Sequence, residues 1–108
     1  MAITANPSIQ NGALITAQGT KTFLNITSAT LVKATTGRVA KVSVIAPSSA
    51  GGQNAAVADH ATTSGVNNSN LIAVIPDVVG VYNVDIHCSN GIVLVPGGAG
   101  QVLAISYI

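Results

Sequence analysis

The chain has almost no ionic chemistry to offer. Of its 108 residues seven are charged, none is Glu or Trp, one is Cys and three are aromatic. Each shortage excludes something. A lone Cys88 cannot form an intrachain disulfide. Four cations, three of them (Lys33, Arg38, Lys41) crowded into residues 33–41, are too few for the basic footprint that nucleic-acid binding needs. Without Glu, a glycosidase carboxylate pair would have to come from Asp59, Asp77 and Asp85, and Asp77 follows Pro76 in a turn, where Asp is usual for local hydrogen bonding. Phe23, Tyr82 and Tyr107 are few for the exposed aromatic platforms on which sandwich proteins hold sugars. The first ten residues lack the basic and apolar regions of a signal peptide. The longest apolar runs fall far short of the ~20 residues that span a membrane. The expectation is a soluble protein of a reducing compartment, with no nucleic-acid and no membrane partner.

What the chain does have is β-branched. Val, Ile and Thr supply 35 residues, whereas Leu appears six times. Side chains stiff at χ1 suit a pleated sheet better than a helix. The 11 glycines cut the sequence into short pieces. Low charge with 48% hydrophobic residues also weakens the repulsion between copies, so the composition favours an oligomer or a docked subunit.

Periodicity places the strands. Ala13–Thr16 is a first short candidate, after an N-terminal arm over residues 1–12. Thr22–Ser28 alternates, with Leu24 and Ile26 on one face and Phe23 and Asn25 on the other. Thr30–Ala34 follows. Over Arg38–Ala46, Val42 and Val44 point in while Lys41 and Ser43 point out. Asn54–His60 reads as a strand, being too short for a stable helix. Leu71–Ile75 is apolar throughout, as a strand buried on both faces would be. Val81–Cys88 puts Tyr82, Val84, Ile86 and Cys88 on one face and Asn83, Asp85 and His87 on the other. Asn90-Gly91 is a strong hairpin signal, from which Ile92–Val95 is expected to pair back. Gln101–Tyr107 is the last strand. Pro47–Asn54, Thr62–Asn70 and Pro96–Gly100 are loops, the first flexible by composition. About eight short strands separated by turns predict an all-β, single-domain antiparallel β-sandwich over residues 13–108.

No motif identifies a reaction. Asp85 and His87 share a strand face, and Asp59 with His60 could bring Asp59, Asp85 and His87 to one cation; the plainer reading is the solvated face of a sheet. Ser89 beside His87 and Cys88 resembles a hydrolase set only in print, because Cys88 points away from His87 into a buried row. The glycines of residues 97–100 lack the Lys-Ser or Lys-Thr that closes a phosphate loop. The expectation is no catalytic residue, no cofactor and no metal: not an enzyme.

Residues 29–44, an apolar-Lys-Ala-x-x-Gly-Arg-apolar segment (Leu31 to Val39) leading into the strand Val42-Ser43-Val44, resemble the small jelly-roll proteins of tailed bacteriophages. The likeness continues through Gly80–Val84, Ser89–Leu94, a Gly-rich turn and Val102–Tyr107, covering roughly residues 29–107. It implies a jelly roll, often trimeric, serving as a capsid decoration or cement protein. Its partners would be the major capsid protein and further copies of itself. It would sit on the exterior of the virion, after synthesis in the host cytoplasm, and an N-terminal arm commonly makes the grip in such proteins. A tail, fibre or receptor-binding module that adheres to host glycan is the alternative. The resemblance transfers no individual functional residue.

Overall fold

A computed structural model describes residues 21–108, and these fold as one all-β sandwich. Eight strands occur in it: β1 Lys21–Ile26, β2 Thr30–Lys33, β3 Gly37–Ala46, β4 Ala55–Ala58, β5 Leu71–Ile75, β6 Gly80–Cys88, β7 Ile92–Val95 and β8 Val102–Tyr107. One sheet has the order β1-β8-β3-β6, the other β2-β7-β4-β5, and every pairing is antiparallel. The pairs 1 with 8, 2 with 7, 3 with 6 and 4 with 5 are those of a long hairpin rolled up so that successive pairs fall in alternate sheets. That is the jelly-roll connectivity. The arm over residues 1–12 and the candidate strand Ala13–Thr16 lie outside the described residues.

The core is aliphatic and thin. Val39, Val42, Val44, Leu103 and Ile105 of the first sheet face Val57, Ile92 and Leu94 of the second, all at 1% exposure or less. The expected inward direction of Val42 and Val44 is observed, and the inward row of β6 holds except at Ile86, which is 37% exposed next to Asp85, whose positive φ of 51° lies at a register shift. Cys88 is fully buried, and Tyr82 and Val84 pack half-buried against the core.

Three further expectations fail, each for a physical reason. Leu24 does not share a face with Ile26: Asn25 adopts a positive φ of 57° at a register shift, so Phe23 and Ile26, not Leu24, sit opposite the core residues Ile105 and Leu103. This bulge leaves Leu24 68% exposed. β5 is not buried on both faces. Among the described residues it is an edge strand, with Val74 60% exposed; the continuously buried strand is β7, where Ile92, Val93 and Leu94 are all at 0%. Asn90-Gly91 does not make a hairpin either. β6 and β7 belong to different sheets, so Ile92–Val95 crosses the sandwich and pairs with β2 and β4.

Candidate functional site

The connections collect at the two ends of the sandwich, and one aspartate organises each end. At one end lie the β3–β4 loop, the β5–β6 turn and the β7–β8 turn. Asp77, 9% exposed, reaches out of its own turn to tie all three. Its carboxylate accepts from the Ser48 amide at 2.8 Å, the Ser48 hydroxyl, the Gln53 amide at 3.0 Å and Gln101 Nε2 at 2.8 Å. Gln101 is fully buried; its Nε2 also donates to the Gln53 carbonyl and its Oε1 accepts from the Gly97 amide. The Asp77 amide in turn donates to Asn54 Oδ1. The sequence suggested a local turn aspartate and a flexible Pro47–Asn54 loop. The structure instead has Asp77 bonding across 24 to 29 residues and holding that loop down.

The Ser48 hydroxyl and amide, opposed by burial and assisted by Gln53 and Gln101, lower the Asp77 carboxyl to a pKa of about 2. Because the folded value lies below the unfolded ~3.9, the stabilisation is present above about pH 4 and is lost as pH falls towards 2. Thermal melts between pH 6 and pH 2 are therefore expected to show a falling midpoint below pH 4. In D77N that acid slope flattens, and the neutral-pH midpoint is lower than that of the wild type.

At the other end lie the β2–β3 turn, the 59–70 loop and the β6–β7 turn. Asp59 accepts from the amides of Ser89 at 3.0 Å, Asn90 at 2.8 Å and Gly91 at 3.3 Å. Burial works against its charge, but these three amides and the nearby His87 outweigh it and hold the carboxyl below its usual range. Gly91 is required here: a Cβ would stand 2.5 Å from the His60 carbonyl and 2.7 Å from that of Lys33. The third aspartate, Asp85, has a φ of 51° and is engaged by Arg38, whose Nε donates to Oδ1 at 2.9 Å and whose Nη2 donates to the Asp85 carbonyl. This ion pair is largely exposed and contributes about 0–1 kcal/mol.

All three carboxylates are thus occupied by the fold's own donors. Asp59 and Asp85 are not brought to one point with His87: Arg38 lies cross-strand from His87 and takes Asp85, while Asp59 turns to the backbone. Among the described residues no three His, Cys, Asp or Glu side chains are grouped to hold a metal ion. Cys88 is buried beneath this end, and burial together with the Asp59 charge pushes its thiol up to about 11, so it is not a thiolate at neutral pH. His60 accepts the Thr62 amide on Nδ1 and packs beneath Gly65, a loop-ordering role. No helix among the described residues is long and apolar enough to cross a membrane.

The remaining feature is apolar. Ile45, Val78, Val79 and Val81 are each about 60% exposed or more, and they lie where β3 ends, β5 turns into β6 and β6 begins. Ser43, Ile45, Val79 and Val81 line an open groove of about 320 Å³ on the outer face of the first sheet. The sequence reading missed this corner, although the run Val78-Val79-Gly80-Val81 beside a Pro-Asp turn was its signal.

Fold and surface together define a class: a small jelly-roll sandwich whose three carboxylates and Arg38 are engaged by its own groups, with an exposed apolar corner among the described residues. No protein-family model, curated protein or solved structure matches the chain.

Proposed function

We propose that this chain is a structural virion protein, a capsid decoration or cement protein that binds the major capsid protein shell, as a homotrimer, and stabilises the head without catalysis. The observation that carries this reading is the division of labour on its surface. Asp59, Asp77, Asp85 and Arg38 are used up in holding the sandwich together, and among the described residues the exposed corner of Ile45, Val78, Val79 and Val81 is apolar and uncharged. Such a surface suits contact with protein. The jelly-roll connectivity agrees with the family likeness of residues 29–107.

The mechanism is mass action. A protein that binds the assembled shell and not its disassembled subunits shifts the equilibrium towards the intact particle. Symmetry repeats each modest contact, and avidity can strengthen binding by roughly 10²–10⁴ without any new chemistry.

Adhesion to host glycan has less behind it. Phe23 is 38% exposed on an edge strand, whereas Tyr82 and Tyr107 are half-buried and pack against the core, so no aromatic platform forms among the described residues. Copy number per particle, by quantitative mass spectrometry, separates the two readings. Hundreds of copies fit decoration; a few dozen or fewer fit a tail or fibre position and would overturn it.

A further inference from the structure

We propose that Asn90 is a site of spontaneous deamidation, and that the hold of Asp59 on the Ser89, Asn90 and Gly91 amides keeps the site closed while the chain is folded. The proposal is independent of what the chain assembles with.

The chemistry needs only the dipeptide and water. The amide nitrogen of the residue after an asparagine can attack the asparagine's own side-chain carbonyl, and a glycine in that place has no side chain to obstruct the approach. Here the Gly91 nitrogen would bond to Asn90 Cγ and the Cγ–Nδ2 bond would break. Nδ2 would leave as ammonia, taking up the proton that the Gly91 nitrogen loses. Water then opens the cyclic imide at one or other carbonyl, leaving aspartate or isoaspartate at position 90. Asn90 is exposed, so water reaches it.

The fold opposes the first step at the nucleophile itself. The Gly91 amide donates to Asp59 Oδ1 at 3.3 Å, while the amides of Asn90 and Ser89 donate to the same carboxylate at 2.8 Å and 3.0 Å. Gly91 is buried, and even a Cβ there would run into the His60 and Lys33 carbonyls and Ala61 Cα. The peptide therefore has little room to turn its nitrogen towards Cγ. The next residue, Ile92, is fully buried and paired with Lys33 of β2, which fixes the chain on the far side. Ring closure waits on a local opening that releases Asp59, and its rate falls with the rarity of that opening. Asp59 does not speed the step as a base instead, because a carboxyl held below its usual range is a weak proton acceptor.

The conversion runs one way. Isoaspartate carries the main chain through an extra methylene, so the three amides no longer converge on one carboxylate. Aspartate sets a second negative charge on the very residue whose amide Asp59 holds. Either product leaves this end of the sandwich looser than before.

The test follows the purified full chain at mildly alkaline pH by peptide mapping, with mass spectrometry that separates Asn90 from the other Asn-Gly pair, Asn11-Gly12. Conversion at Asn90 is expected to be at least about tenfold slower in the folded wild type than in the same chain unfolded in urea. D59A, with its fold checked by circular dichroism, should raise the folded-state rate about fivefold or more, as losing the acceptor makes opening easier. D59N keeps one side-chain carbonyl for the amides and should fall between; it carries the comparison if D59A does not fold. Equal rates in the folded and urea-unfolded wild type would overturn the proposal. So would Asp59 variants that convert no faster than the wild type, or an Asn90 that stays intact even in urea.

Discussion

Replacing Leu94 by Ala is expected to remove about 2–5 kcal/mol of stability, the range for deleting a large aliphatic side chain from a core that cannot collapse around the hole. Leu94 is fully buried in the central part of its sheet, paired with Thr30 on one side and Val57 on the other. The core is a single aliphatic layer pair, so there is little second-layer material to refill the space. Domains of this size have about 5–15 kcal/mol in total, so the loss is a large share. The thermal midpoint should fall by on the order of 10–20 °C. The urea midpoint should fall while the slope m stays constant. Leu24→Ala is the control: at 68% exposure its effect should stay within about 0.5 kcal/mol. Equal losses from the two variants would contradict the placement of the core.

The second large effect is expected from the smallest change, Gly97→Ala. A Cβ there would lie 2.1 Å from the Gln53 carbonyl oxygen and 2.3 Å from that of Asn54. Both are backbone atoms, and neither can step aside cheaply, because Gln53 is fixed through its amide by Asp77 and through its carbonyl by Gln101. The Gly97 amide itself donates to Gln101 Oε1 at 2.7 Å. Accommodating the methyl group therefore loosens the whole end of the sandwich, at about 1–3 kcal/mol or more. Gly98→Ala should be milder, since its Cβ would meet only the Gln53 side chain and Ser48 Cβ, which can shift. Denaturant melts of the two variants check the order; Gly98→Ala proving the worse would contradict the tie built on Asp77 and Gln101.

Much of the fold could be read from local pattern. Each of the eight strands lies within or within one residue of a window expected from the sequence, most of them from period-two alternation or an apolar run, and β5 matches its window to the residue. Alternation also placed Tyr82, Val84 and the buried Cys88 of β6 inward, but it misplaced Ile86, which the positive φ of Asp85 leaves 37% exposed. Pairing was not legible, because period two says which side chains share a face but not which sheet a strand joins. Asn90-Gly91 shows this well. Its composition signals a hairpin, but in this fold its turn crosses between sheets, and its amides converge on Asp59, about thirty residues earlier. The positive φ of Asn25 was likewise hidden, and with it the outward turn of Leu24.

The same limit applies to the charged residues. Their scarcity was the best guide to function class, yet their individual roles depend on distant partners. Asp77 looked like a residue serving its own turn and instead serves Ser48, Gln53 and Gln101. Asp85 and His87 looked paired by spacing, but Asp85 is taken by Arg38, the cross-strand partner of His87. The apolar corner arises only when the end of β3, the β5–β6 turn and the start of β6 are brought together in space.

The most direct test of the cement reading is sedimentation of the purified protein with the intact particle and with a particle stripped of it. The account predicts saturable rebinding to the stripped shell at several hundred copies, and a rebound particle that survives hotter or lower-salt conditions than the stripped one. A protein that ignores the shell and is retained instead by host envelope or glycan would contradict it.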